Sequence, residues 1–375
     1  MIYLDNAATS FPKPESVKKE LLRCIDIFGG NPGRGSHRLA MLASEKIYEC
    51  RCKICDFFST NSPENVVFTY NATYALNMAI KSSYKKGSHI LISDMEHNSV
   101  YRPIYNLKKT GECDYDIFSS DGDIIANISS LIRKNTDMLI CTHVSNVSGR
   151  VLPVEEIGKL CKKHGIYFII DASQSAGHID VDINKINCNV LCAPGHKGLF
   201  GIQGSGFAIF NNRRHLRTFI EGGNGINSKS PAMPYETPES YEGGTLSTPA
   251  ISSLCAGINF IEEIGSKEIT EREETLRNFL LDRLTSIKRI HVQDEKRQCV
   301  NTVSFFTPEI NSDLLGNMLD EKGICVRTGM HCSPLAHKTL KSPEQGTVRV
   351  SISYFNTIKD IDTFTKAVKE AVEYK

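Results

Sequence analysis

Cys192-Ala193-Pro194-Gly195-His196-Lys197-Gly198-Leu199-Phe200-Gly201 is the stretch from which the rest of this chain can be read. It follows the apolar run Asn189-Val190-Leu191. It leads into Gly204-Ser205-Gly206-Phe207-Ala208-Ile209-Phe210, which reads as another buried strand. Most lysines in glycine-rich turns are solvated cations. This one lies between two strands, amid glycines and beside a histidine. Desolvation and neighbouring positive charge lower an amine's pKa in such a place, so that it can form a Schiff base with a carbonyl compound. The partner stretch upstream separates the two readings. In Ile169-Ile170-Asp171-Ala172-Ser173-Gln174 an apolar strand ends in an aspartate, followed by small and amide side chains.

A lysine on one strand and an aspartate at the end of the preceding one is the pairing that pyridoxal phosphate (PLP) chemistry needs. The lysine carries the cofactor through its aldehyde, and the carboxylate keeps the pyridine nitrogen protonated so that the ring accepts electrons. With Lys197 and Asp171 stand His196, Gln174, Glu96-His97 and Arg327-Thr328-Gly329-Met330-His331-Cys332. In this order the motifs resemble the class V aminotransferase superfamily, and within it the cysteine desulfurases and selenocysteine lyases. The resemblance runs from Tyr3-Leu4-Asp5-Asn6-Ala7-Ala8-Thr9 to Arg349-Val350-Ser351, nearly the whole chain.

At 375 residues the chain can build a large domain and a smaller one. The expected division is an N-terminal segment over 1–14, a large PLP-binding domain over 15–260 and a small C-terminal domain over 261–375. A net charge of +1, with no basic cluster interleaved by aromatics, argues against a nucleic-acid surface. No apolar run approaches membrane-spanning length, and the chain opens on Met1-Ile2-Tyr3-Leu4, a strand-like run without a basic-then-apolar leader. The 13 cysteines, an odd number without a secretion signal, suggest free thiols in a reducing cytoplasm. Cys50-x-Cys52-x-x-Cys55 has the look of a metal site. It lies in a helical stretch, Ala43 to Phe58, that would spread the three thiols around the helix, so no metal is expected.

Strands are expected at Val66-Thr69, His89-Ser93, Asp137-Thr142 and the Asp171 run. Helices are expected over Glu15–Phe28, from Asn71 to about Tyr84, and over Val154–His164. Alternating strand and helix give an α/β fold with a mainly parallel sheet, whose ligands gather at the C-terminal strand ends. His97, Asn146 and Asp171 all fall there. The helix start at Asn71-Ala72-Thr73 is either plainly N-capped or a phosphate cradle, since free N–H groups and the dipole favour an anion. Gly201 to Gly206 is no dinucleotide loop: it lacks the G-x-G-x-x-G order and precedes a strand. A long polar loop is expected over Glu221–Pro238. Beyond a helix from about Ser266 to Ser286, strands near Val300–Phe306, Ile324–Arg327 and Val348–Ser353 alternate with helices near Ser312–Glu321 and Lys359–Val372. These form a compact α+β unit.

The resemblance implies a fold-type-I PLP enzyme, homodimeric, and assigns roles within it. Thr73 and Ala72 bind the phosphate, and His97 stacks on the pyridine ring and passes protons. Asn146 and Gln174 lie near the ring hydroxyl. The glycine-rich loop Gly29 to His37, which includes Arg34, lies near the active site at the subunit interface. Thr245 reaches the phosphate of the neighbouring subunit, although it could equally cap the next helix. Relatives carry serine or threonine where this chain has Pro194, so phosphate anchoring leans on Thr73, His196 and the neighbour's Thr245. Ala8 and Asn146 sit by the substrate. Arg349, in an otherwise apolar strand, binds the substrate carboxylate through its planar fork; the alternative is an internal ion pair.

Cys332 differs from the other cysteines in lying among polar and small residues. His331, Arg327 and His337 are close enough in sequence to favour its thiolate. A thiolate could take sulfur from a cysteine held on PLP, leaving alanine and a persulfide. The short run from Cys332 to Arg349 resembles the subgroup that passes sulfur to an acceptor protein and often uses L-selenocysteine besides L-cysteine. Two rival readings are another class V reaction (amino transfer, epimerisation, β-elimination) and an idle subunit of a sulfur-transfer complex. The first needs no thiol at Cys332. The second needs neither Lys197 nor Asp171.

Overall fold

Successive side chains of a strand face opposite ways, and the central strands here are apolar in both directions. The computed structural model describes residues 1–373 except Arg34, Asn61 and His215. Its strands are β1 (Ile2–Tyr3), β2 (Val66–Thr69), β3 (His89–Ser93), β4 (Asp114–Phe118), β5 (Thr136–Thr142), β6 (Tyr167–Asp171), β7 (Val190–Pro194), β8 (Gly206–Phe210), β9 (His291–Val292), β10 (Thr302–Phe306), β11 (Ile324–Cys325), β12 (Arg327–Gly329) and β13 (Thr347–Ser351). Its helices are α1 (Glu15–Ile27), α2 (Arg38–Phe57), α3 (Ala72–Ser83), α4 (Asn98–Lys109), α5 (Ile124–Leu131), α6 (Val154–His164), α7 (Ile183–Ile186), α8 (Thr248–Ile264), α9 (Ser266–Thr285), α10 (Ser312–Asp320), α11 (Pro334–Thr339) and α12 (Ile358–Glu373).

The large sheet has seven strands in the order β2-β8-β7-β6-β5-β3-β4. Only β8 runs against its neighbours, β2 and β7. Ile90, Ile92, Ile140 and Ile169 point to one face, under α3 and α4. Leu91, Leu139, Phe168 and Ile170 point to the other, under α2, α6 and α8. Helices on both faces explain why these strands read as unbroken apolar runs. They also leave the C-terminal strand ends uncovered, where polar loops can meet.

A second core forms around an antiparallel sheet, β12-β13-β10-β9, packed by α9, α10 and α12. Leu4 belongs to this core, and β1 pairs in parallel with β11. The opening strand is therefore built into the C-terminal half of the chain. One expected strand, Ile324–Arg327, is two. β11 pairs with β1, and after Val326 the chain joins β13 as β12. Thr302, Val303, Ser304 and Phe305 pair with Ser351, Val350, Arg349 and Val348, which brings Arg349 into the middle of the sheet. Helix α2 carries Cys50 and Cys55 buried and Cys52 half-buried, and all thirteen cysteines are free thiols. No helix among the described residues is long and apolar enough to cross a membrane.

Candidate active site

The loops leaving β2, β3, β5, β6 and β7 border a cleft lined among others by Ala72, Thr73, His97, Asn146, Asp171, Gln174, Pro194, His196 and Lys197. Seven of the predicted cofactor residues and the predicted lysine thus meet in one place, at the expected sheet edge. Asp171 is the last residue of β6, hydrogen-bonded in register between Thr142 and Cys192. Its Oδ1 accepts from the Ser173 amide at 2.9 Å. Lys197 follows β7 in a turn closed by Gly198, where a Cβ would stand 2.3 Å from the Ala176 carbonyl oxygen. No larger residue fits there without moving backbone. Burial brings the Lys197 pKa down to about 8. Arg349 and Arg327 push the same way, while Asp171 and Asp5 oppose them. A substantial fraction of the amine is therefore neutral near pH 8, the form that attacks a carbonyl.

His97 caps α4. The Ser99 amide donates to its Nδ1 at 3.0 Å, so the proton of the neutral ring sits on Nε2. Ser99 Oγ stands 2.8 Å from that Nδ1 and 2.7 Å from Thr73 Oγ1, joining the imidazole to the start of α3. Burial first, then Lys197 and Arg349, hold the His97 pKa below the usual histidine value against the pull of Asp171. At the start of α3, Asn71 Oδ1 accepts from the Tyr74 amide at 2.9 Å, which leaves the amides of Ala72 and Thr73 without a side-chain cap. The cap therefore leaves room for an anion at this helix end. Gly206 makes room for it: a Cβ there would stand 2.7 Å from the Asn71 backbone.

Behind the cleft, Glu96 is fully buried. Its Oε1 accepts from the Thr142 amide at 2.7 Å, and burial, helped by Asp171, lifts its pKa to about 8. This residue stood in the sequence beside His97, but nothing in the spacing shows that it packs against β5. Ser99, Asp5 and Lys13 were missed as well. Lys13 Nζ donates to the His196 carbonyl at 2.9 Å, an oxygen that also accepts from Thr9 Oγ1 at 3.1 Å and the Ser10 amide at 3.1 Å. The peptide next to Lys197 is thus pinned by the N-terminal segment.

Cys332 is exposed, at the end of a loop in which His331 and Cys332 both have left-handed backbone, φ 48° and 58°. Two consecutive non-glycine residues there carry strain that the surroundings must hold. The Asn98 amide donates to the Cys332 carbonyl at 2.8 Å. Asn146 Nδ2 donates to the His331 carbonyl at 2.7 Å, and Ser333 Oγ donates to Asn146 Oδ1 at 2.6 Å. One cleft-lining amide therefore clamps the thiol loop on both sides of the cysteine. The expectation that His331 and His337 lend Cys332 positive charge fails. Both are buried, and burial drives their pKa values down, to about 4 for His337 and further for His331 with Arg349's help. They are neutral imidazoles at neutral pH.

Arg349 is 3% exposed; its Nη1 donates to the Asn146 carbonyl at 2.9 Å and its Nη2 to Asp5 Oδ1 at 2.9 Å. An internal ion pair is present, yet Nε has no partner. Ala8 does not line the cleft; its neighbour Ala7 takes the Gln174 amide on its carbonyl at 2.9 Å. Thr245 is also elsewhere, exposed and 3.4 Å from Asn31 Nδ2 of the glycine-rich loop. Arg34 of that loop lies outside the described residues.

The fit to PLP can be tested on what the protein leaves unpaired. Gln174 donates through Nε2, which fixes its Oε1 as the free acceptor, and that buried oxygen has no partner. His196 Nδ1 and Arg349 Nε are buried and unpaired too. Each such group costs about 1–3 kcal/mol unless something arrives to satisfy it. A ring hydroxyl at Gln174, an anion at the start of α3 and a pyridinium at Asp171 match the donors and acceptors on offer.

The aminotransferase class-V family model matches residues 2–364. A probable cysteine desulfurase of Halalkalibacterium halodurans is 33% identical over 100% of this chain and 94% of its own. One of Methanothermobacter thermautotrophicus is 30% identical over 98% of this chain and 94% of its own. Among solved structures, the apo cysteine desulfurase of Thermococcus onnurineus superposes with TM-score 0.89 at 29% identity, covering 100% of this chain and 95% of that one. A cysteine desulfurase of Escherichia coli, at 20% identity, shares the fold with TM-score 0.87 over 99% of this chain and 94% of that one. A large, mostly parallel sheet with a smaller C-terminal unit is the fold-type-I architecture of PLP enzymes. With the match running over nearly its whole length, this chain belongs to the aminotransferase class-V family.

Proposed function

We propose that this protein is a PLP-dependent cysteine desulfurase that converts L-cysteine, and also L-selenocysteine, to L-alanine, taking the sulfur onto Cys332 as a persulfide. The observation that carries the reading is the tether between the two halves of the site. The loop bearing an exposed cysteine is bonded to Asn98, next to His97, and to Asn146, which lines the Lys197 cleft. Amino transfer or epimerisation gives no reason to hold a thiol there.

Lys197, Asp171, Gln174, His97, His196, Ala72 and Thr73 would hold the cofactor. Bound there, PLP supplies an aldehyde that links to amines and a ring that draws electrons from the substrate carbon. Asp171 holds the proton on the pyridine nitrogen. Arg349, through its unpaired Nε, takes the substrate carboxylate, with Asn146 beside it. Lys197 would be placed to move protons at the substrate carbon, and His97 would present its Nε2 proton to the same space. The Cys332 thiolate attacks the substrate sulfur. The new S–S bond forms as the carbon–sulfur bond breaks, and that bond's electron pair stays with the carbon, which is then protonated to give alanine. We further propose a cytoplasmic homodimer in which Thr245 reaches the partner's phosphate, and an acceptor protein that collects the persulfide sulfur from exposed Cys332.

The test gives wild-type holoenzyme either substrate without an acceptor. Alanine should form from both, and cysteine should add one sulfur to the intact mass, mapped to Cys332. Alanine production with no sulfur on Cys332 would sink the desulfurase reading.

A further inference from the structure

Arg327 and Arg349 stand directly opposite each other in the antiparallel pair β12–β13, an arrangement that like charges disfavour. Asp5 lies between them. Its Oδ1 accepts from Arg349 Nη2 at 2.9 Å and from Arg327 Nε at 3.1 Å, and its Oδ2 accepts from Arg327 Nε at 3.0 Å and Nη2 at 2.9 Å. The three groups carry one net positive charge. Arg349 has already given one Nη1 hydrogen to the Asn146 carbonyl, its buried Nε has no partner, and its charge is felt at Lys197 in the cleft. An unmatched charge and an unmatched donor thus coincide on one guanidinium.

We propose that Asp5 sets the charge class of the substrate: by cancelling one of two guanidinium charges it leaves a site for a single carboxylate, and so admits amino acids whose side chains carry no negative charge. This rests on Arg349 being the substrate-carboxylate anchor. Cysteine, whose thiol is mostly protonated at neutral pH, meets the condition, and dicarboxylic amino acids do not. With Asp5 neutralised, the Arg327 fork is freed for a second carboxylate a few ångströms from the first. The other charges of the cleft, Lys197 and Asp171, are the same in every variant compared.

The test measures binding of L-alanine and L-aspartate to the holoenzyme by calorimetry. Asp5→Asn should shift the affinity ratio towards L-aspartate by about tenfold, the scale of one added charge at short range in a partly solvated site. Asp5→Glu should keep the wild-type ratio, and Arg327→Gln added to Asp5→Asn should restore it. An unchanged ratio in Asp5→Asn overturns the inference, provided Arg349→Gln has lost L-alanine; the function proposed above then stands. If Arg349→Gln binds L-alanine like wild type, the anchor itself is wrong and the inference falls with it. Should Asp5→Asn not fold, Arg327→Gln alone decides: with no net charge left it should bind L-alanine about tenfold more weakly, and unchanged binding overturns the inference.

Discussion

Lys197 and Cys332, the two nucleophiles of the proposed reaction, are housed in opposite ways. Lys197 sits at a sheet edge, between buried strands, where loss of water brings its amine pKa down to about 8. Cys332 is exposed on a strained loop, held by hydrogen bonds from the Asn98 amide and from Asn146 of the cleft. The lysine must be neutral and must stay put, which burial achieves. The cysteine must reach a substrate inside and hand its sulfur to something outside, which burial would prevent. The contrast says that the lysine's environment tunes reactivity, whereas the cysteine's tunes access.

Breaking the buried side should cost most. Lys197→Ala should lower alanine formation by about a thousandfold or more, the scale on which removal of a covalent nucleophile acts. Borohydride reduction of the holoenzyme should fix the cofactor on Lys197, and a label on another lysine would contradict the assignment. In cofactor-free protein, acylation of Lys197 should rise through about pH 8, below the 10.5 of a solvated lysine, because raising pH frees the amine.

Breaking the exposed side should be selective. Cys332→Ala should cut alanine formation from cysteine by about a hundredfold or more yet keep the cofactor, and should spare much of the activity on selenocysteine, whose selenium leaves more readily. Equal losses on both substrates would mean that Cys332 does more than accept sulfur.

Mixing chains sharpens the comparison across subunits. Hybrids of Lys197→Ala and Thr245→Ala chains should recover about half of wild-type turnover, because one site keeps its own Lys197 and the other chain's Thr245. Verified hybrids without activity would place Thr245 in its own chain's site.

The smallest effect belongs to Glu96, whose pKa rises from 4.5 to about 8 on folding. The folded chain holds that proton more tightly than the unfolded one. The stability this gives is therefore full below pH 4.5 and is lost as pH climbs through about 8. Glu96→Gln removes the titration, so its Tm relative to wild type should improve by about 2 °C or more between pH 5 and pH 9. A constant Tm difference would show that Glu96 does not titrate in this window.

The buried half was the legible one. Apolar runs flanking Asp171 and Lys197, and loops placed after successive strands, follow from short-range patterns that the chain carries in order. The exposed half was read less well. His331 and His337 look in sequence like cations beside a thiol, but burial, with His331 against Thr347 of β13 and the His337 ring of α11, leaves them neutral. The split of Ile324–Arg327 into two strands turns on which partner each piece meets. Asp5 shows the limit most sharply: it reads as the end of a strand, and its two arginines are 322 and 344 residues away.

That separation bears on biosynthesis. As the chain leaves the ribosome, the seven-stranded sheet is complete once Phe210 has emerged, whereas Asp5 waits for the strand carrying Arg349. Contacts this distant in sequence close late, because loop entropy must be met first. A nascent or prematurely terminated chain can therefore carry a formed Lys197 edge while lacking the proposed carboxylate anchor, Arg349. The reactive lysine is assembled before the device that selects what reaches it.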